Sequence, residues 1–234
     1  MLIISNGVPK SGSSYLFKLQ RDLIQSSIES ENAVSKAISE NKINGSGLFL
    51  SNLDDRVFAL LKQISKDHGP LAVKIHDKNI SKIQKYAEEK NIYSTFTYRD
   101  PRCFILSAID HKERTNNNHQ VFSHFENVTA AIPEAKSWAK VAVLYRESSI
   151  FTLKYEKLVT APISSTEEMA KYLSLPLNSS EALNICKREE ADRKYGVRQF
   201  NKGYVTRYDK EMSAMEINEC NIAFAEDLQL LGYK

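Results

Sequence analysis

Residues 7–14 read Gly7-Val8-Pro9-Lys10-Ser11-Gly12-Ser13-Ser14. They stand between a short apolar run, Leu2-Ile3-Ile4-Ser5, and a segment in which Leu16, Leu19, Leu23 and Ile24 recur at helical spacing. The order is strand, glycine-bearing turn, helix, with Asn6-Gly7 closing the apolar run. Such a turn aims several backbone N–H groups and the positive end of a helix dipole at one point, which favours a bound anion. Lys10 adds a mobile charge, and Ser13 and Ser14 add hydroxyl donors. An ordinary strand-to-helix turn with a serine cap would use the same residue types. The lysine precedes the second glycine and no Gly-Lys-Ser/Thr occurs, so the stretch is not a Walker A loop.

Outward from this loop, strand and helix patterns alternate. Leu53, Val57, Leu60, Leu61 and Ile64 predict an amphipathic helix stopped by Gly69-Pro70. Leu71 to His76 reads as a strand, Ile80 to Lys90 as a helix, and Ile92 to Tyr98 as a β-branched and aromatic strand. Pro101 suits the first turn of a helix carrying Phe104, Ile105, Ala108 and Ile109. Beyond Asn116-Asn117-Asn118 comes a long helical region with Trp138, Val141 and Tyr145, and then a strand from Ile150 to Tyr155. Helices follow at Thr166 to Leu173, Ser180 to Glu190 and Ser213 to Leu231, while the stretch from about Ser26 to Ser51 reads as polar connecting chain. Strands separated by helices predict a doubly wound α/β fold, with a mainly parallel sheet flanked by helices, because parallel neighbours need crossover connections.

The 234 residues fit one domain, 1–234, with no linker and no internal repeat. Lys and Arg number 32 against 29 Asp and Glu, a formal charge of +3, and 42% of residues are hydrophobic. This balance excludes a disordered chain and a bulk nucleic-acid coat, so no nucleic-acid polymer is expected as partner. Cys103, Cys186 and Cys220 are widely spaced and odd in number, and read as packed, reduced thiols. No apolar run approaches 18 residues and Met1-Leu2-Ile3-Ile4 lacks the features of a signal peptide, so a cytoplasmic protein without a membrane span is expected.

Two further stretches carry chemistry. Thr97-Tyr98-Arg99-Asp100-Pro101-Arg102 lies at the carboxyl end of a predicted strand, the edge over which open α/β sheets bind ligands, and Ser107 follows two turns into the next helix. An arginine there can fork onto a phosphate and Ser107 can add a donor. Taken by themselves, Arg99 and Arg102 read as solvated residues capping a turn. In Lys74-Ile75-His76, alternation puts Lys74 and His76 on one face of a strand end. A strand-end Lys and His are also commonly just exposed. His68, His111, His119 and His124 fall in loops or near the Asn-rich break and are weaker candidates.

Taken in order, these motifs resemble the sulfotransferase family that uses 3′-phosphoadenosine-5′-phosphosulfate (PAPS), with its P-loop-like fold. Pro9 to Ser14 is similar to the family's 5′-phosphosulfate loop, and Lys74-Ile75-His76 to its Lys-Thr-His segment, which carries the catalytic base. Tyr98-Arg99-Asp100-Pro101 through Ser107 resembles the 3′-phosphate motif, and Tyr155-Glu156-Lys157-Leu158 the Tyr-Glu-Asp-Leu strand end. Asn201-Lys202-Gly203, followed by Arg207-Tyr208, resembles the Arg-Lys-Gly segment. Tyr15 stands where the family often has Trp, Asn201 replaces an Arg and Tyr208 a Trp. The resemblance implies His76 as base, with Lys10 and Lys74 as catalytic cations. It implies donor contacts from Lys10, Ser11, Gly12, Ser13, Ser14, Tyr15, Arg99, Ser107, Tyr155, Lys202 and Gly203. It further implies PAPS as co-substrate, 3′-phosphoadenosine-5′-phosphate (PAP) as product, and no metal, since a sulfuryl group carries one charge fewer than a phosphoryl and lysines can suffice. The acceptor is expected to be a small polar or amphipathic molecule with a hydroxyl or amine, covered by segments 31–52 and 111–127. The competing readings are a P-loop kinase and a noncatalytic nucleotide-binding adaptor.

Overall fold

The computed structural model describes residues 1–115, 122–194 and 205–234, with backbone alone for 189–194. Within them lies a six-stranded sheet of order β2-β3-β4-β1-β5-β6. The strands are β1 (Leu2–Gly7), β2 (Gly45–Ser46), β3 (Phe49–Leu50), β4 (Leu71–Ile75), β5 (Ile92–Tyr98) and β6 (Phe151–Lys154). All neighbours pair in parallel except β2 with β3, a short antiparallel edge.

Helices cover both faces, so the central strands need no polar side. Leu2 and Ile4 of β1, with Leu71 and Val73 of β4, pack beneath α3 (Asp55–His68), α5 (Pro101–Arg114), α6 (Val128–Glu147) and α11 (Ala214–Leu231). Ile3 and Ala72 point the other way, against α1 (Ser13–Leu23), α8 (Pro162–Tyr172) and α9 (Ser179–Lys194). This is why β1 reads as a near-continuous apolar run instead of an alternating one. The remaining helices are α2 (Ile28–Glu40), α4 (Ile80–Ala87), α7 (Tyr155–Thr160) and α10 (Tyr208–Glu211).

Neighbouring strands β1 and β5 send their following helices to opposite faces, α1 with Leu16 and Leu19 to one and α5 with Phe104 and Ile105 to the other. A crevice opens at the carboxyl edge wherever adjacent strands diverge in this way. It lies between the Gly7–Ser14 loop and the start of α5.

Several expectations are corrected. Ser26 to Ser51 is not all connecting chain: α2 forms there, capped by Ser27, whose Oγ accepts from Ser30 N at 3.0 Å. Its buried apolar residues are only Val34, Ala37 and Ile38, beside buried Ser30, a stripe too narrow to stand out among serines and glutamates. The first strand includes Asn6 and ends at Gly7, two residues beyond the apolar run. The Gly7 position needs the missing side chain, since a Cβ would lie 2.2 Å from Thr97 Oγ1 on β5. The predicted strands ending at His76 and Tyr155 stop at Ile75 and Lys154. All three cysteines are buried.

Candidate active site

The loop after β1 is braced from within. Ser11 Oγ donates to Val8 O at 2.5 Å and lies 3.0 Å from Thr97 Oγ1, so this hydroxyl ties the turn to β5 and does not face the crevice. Gly12 caps α1 in the left-handed conformation at φ 80°, where a Cβ would come within 2.8 Å of the Tyr155 ring. Intrahelical bonding begins with Tyr15 N to Gly12 O. The N–H groups of Gly12, Ser13 and Ser14 therefore precede the first intrahelical bond and form the positive end of the helix. Tyr15 is buried beside Leu16 and Leu19, its ring part of the packing under α1.

Lys74 reaches this end from β4. Its Nζ donates to Ser14 Oγ at 2.8 Å and sits 5.1 Å from the centre of the Phe49 ring. Burial pushes the Lys74 ammonium down to about 8. Lys10 falls to about 8 as well, through burial first and then the nearby charges of Arg114, Lys74 and Arg99, which outweigh the one opposing carboxylate, Asp110. A cluster of cations this poorly neutralised is a site prepared for an anion. Arg114, at the end of α5, was not singled out in the sequence. The signal was available in its spacing, since Cys103, Ser107, Asp110 and Arg114 recur at i, i+4, i+7 and i+11 along one helix face.

His76 follows β4 directly. Its Nδ1 lies 2.6 Å from Gly7 O. A carbonyl only accepts, so Nδ1 carries the proton and Nε2 is left as the basic nitrogen. Burial and the charges of Lys74 and Lys10 push the imidazolium down to about 4, keeping the ring neutral. Neighbouring Asp77 takes no part: its carboxylate accepts from Asn79 N at 2.8 Å and pairs with Lys82 at 2.5 Å. Phe49 and Trp138 stand edge-on to the imidazole, with ring centres 5.6 and 6.4 Å away.

On the β5 side, Arg99 and Arg102 are not solvated; they are 6% and 2% exposed. Their surroundings differ. The Arg99 guanidinium lies 4.2 Å over the Tyr155 ring, the ring that Gly12 also approaches, and Ser107 is buried two turns along α5. Arg102 is consumed by structure: it pairs with Asp100 at 2.7 Å, donates to Asn221 Oδ1 at 2.8 Å and stacks 3.8 Å over Tyr208. Glu156, also not singled out, accepts from Asp100 N at 3.3 Å and from Tyr233 OH at 2.8 Å, holding α7 against the start of α5. Lys202 and Gly203, with Asn201, lie outside the described residues. The chain resumes against α5 at Val205, whose carbonyl accepts from Cys103 Sγ, and at Arg207, which pairs with Asp110 at 2.7 Å and Glu211 at 2.6 Å. No group of three metal-ligating side chains occurs among the described residues.

A family model described as the sulfotransferase domain matches residues 2–221, and the chain belongs to that family. In fold it is similar to mouse sulfotransferase SULT7A1, a structure complexed with PAP: TM-score 0.69 at 14% identity, covering 100% of this chain and 89% of that one. It is similar also to retinol dehydratase in complex with androsterone and the inactive cofactor PAP, with TM-score 0.63, 16% identity and coverage of 97% and 80%. The sulfotransferase domain from the curacin biosynthetic pathway gives TM-score 0.53 at 15% identity, covering 100% and 98%. No curated protein sequence matches the chain. No helix among the described residues is long and apolar enough to cross a membrane.

Proposed function

We propose that this sulfotransferase moves a sulfuryl group from PAPS to a hydroxyl or amine of a small acceptor, with His76 as general base. The observation that carries the reading is the arrangement at the carboxyl ends of β1 and β4. Two lysines held near a pKa of about 8 flank a helix N-terminus, and a neutral histidine beside them has only Nε2 free to take a proton. Lys10 and the N–H groups of Gly12, Ser13 and Ser14 suit the 5′-phosphate oxygen on which charge builds as its bond to sulfur breaks. Lys74, tethered to Ser14, suits the group in transit. As the acceptor oxygen bonds to sulfur, its proton passes to His76 Nε2. The bound anion itself offsets the cations that depress His76, which raises the basicity of the imidazole when donor is in place.

Arg99, stacked on Tyr155, and Ser107 are assigned to the 3′-phosphate, and Lys202 and Gly203 are proposed to join them. Phe49 and Trp138 flank the acceptor side of His76, in keeping with a small amphipathic acceptor. We place the protein in the cytoplasm and expect turnover without a divalent metal. Labelled PAPS offered with alcohols, amines, sugars and phenols, beside a thermal-shift panel, tests the proposal. Stabilisation by PAP without magnesium and label transfer to an acceptor are expected. Stabilisation only by ATP with magnesium would establish a kinase instead, and PAP binding without transfer to any acceptor class an adaptor.

A further inference from the structure

Behind His76 lies a buried polar network that the reaction described above does not use. Asn6, fully buried near the end of β1, makes four hydrogen bonds through one amide. Its Oδ1 accepts from Gly7 N at 2.8 Å and from Asp77 N at 3.0 Å. Its Nδ2 donates to Asp77 O at 2.8 Å and to Tyr145 OH at 2.8 Å. The backbone partners fix the amide's orientation, because two N–H groups require the oxygen and a carbonyl requires the nitrogen.

The residues held this way are the ones that define the histidine. Gly7 supplies the carbonyl that receives His76 Nδ1–H, and Asp77 is the next residue after His76. Beyond the end of β4 there is no ladder to fix residues 76 and 77, and the Asn6 side chain takes over that task from the neighbouring strand. Tyr145 is itself locked, its ring stacked on Phe96 of β5 at 3.9 Å and 7°. The chain of contact runs from β5 through α6 to β1 and on to the turn carrying the imidazole.

We propose that Asn6 is a positioning residue that fixes the orientation and the Nδ1–H tautomer of His76. The role of that tautomer in turnover rests on the reading of His76 as base. A buried amide replaced by a methyl leaves Gly7 N, Asp77 N and Asp77 O without partners, and the turn can then shift relative to the carbonyl that orients the ring. Displacements on the order of 1 Å at a reacting group can cost about a hundredfold in rate.

The test is nitrogen NMR on protein labelled at histidine, with the His76 signals assigned by their loss in His76→Gln, alongside steady-state kinetics on a hydroxyl acceptor. Wild type is expected to show a neutral His76 protonated at Nδ1. Asn6→Ala is expected to show mixed tautomers and a kcat lowered by about tenfold to hundredfold, with PAP affinity unchanged. Tyr145→Phe, which removes one of the four bonds, should move both readouts in the same direction by a smaller amount. A folded Asn6→Ala protein with the wild-type tautomer and a kcat within about twofold of wild type overturns the proposal. If Asn6→Ala does not fold, the same outcome in Tyr145→Phe overturns it. Retained turnover in His76→Ala would instead remove His76 as base, while the tautomer signal would still decide what Asn6 does.

Discussion

Two basic clusters, one at the ends of β1 and β4 and the other around α5, are built on opposite principles. At the ends of β1 and β4, Lys10 and Lys74 are both buried, Lys10 also among other cations with Asp110 opposing them, and both fall to about 8. Around α5, Arg102 is bound to Asp100, and Arg207 to Asp110 and Glu211, which hold both guanidiniums above the ordinary arginine range. Charge already balanced by carboxylates is scaffold. Charge left unbalanced is where a ligand's anions complete the structure.

The largest effect should come from the first cluster. His76→Ala is expected to lower kcat by about a hundredfold to ten-thousandfold on a hydroxyl acceptor, with nucleotide affinity nearly intact, because it removes a positioned proton acceptor. A variant that loses thermal stability but keeps its kcat would make His76 a structural residue. Next comes Arg102→Ala, which abandons a buried carboxylate. Denaturant titration should find it about 3–5 kcal/mol less stable, with the folded fraction still binding PAP. A folded, stable Arg102→Ala protein that fails to bind would move Arg102 from scaffold to site.

Arg99→Ala should cost about 1.5–3 kcal/mol, or tenfold to hundredfold, in PAP affinity and spare an analogue lacking the 3′-phosphate. Equal losses for both ligands would dissolve the distinction drawn between Arg99 and Arg102.

The smallest effect is in pH. Lys10 and Lys74 lie below their unfolded value of 10.5, so in the free protein their charge opposes folding at neutral pH, and the cost is relieved as pH rises from about 8 to 10.5. His76, lowered from 6.5 to about 4, favours the fold above pH 6.5 and loses that contribution as pH falls toward 4. A bound anion restores the lysine charges. PAP binding near pH 8 should therefore take up protons, seen by calorimetry in buffers of different ionisation enthalpy, and affinity should fall above pH 8. Binding without proton uptake would mean that the lysines are already compensated.

The loop cluster was legible in the sequence as a group because its residues are nearly contiguous: one turn, one strand end and the alternation that links Lys74 to His76. The scaffold cluster was harder to read. Arg99 and Arg102 flank the same Asp100-Pro101 pair in sequence, and only the burial of one against Tyr155 and of the other against Asp100 and Tyr208 separates them. Ser11 looked like a donor from its place in the loop, yet its hydroxyl closes on Val8 and Thr97. Asn6 read as a turn residue, whereas its four partners come from its neighbour Gly7, from Asp77 and from Tyr145, the latter two 71 and 139 positions away. The parallel sheet followed from the alternation of elements. The helix at 28–40 did not, since three buried apolar residues leave little trace in a polar stretch.

A 3′-phosphorylated adenine nucleotide held by cations and a helix N-terminus is the central proposal for this crevice. Calorimetric titration of the full chain with PAP and with adenosine 5′-phosphate, both in EDTA, measures it. PAP is expected to bind at least about tenfold more tightly than the nucleotide lacking the 3′-phosphate, with no change when magnesium is restored. Equal affinities, or PAP binding that appears only with magnesium, would contradict it.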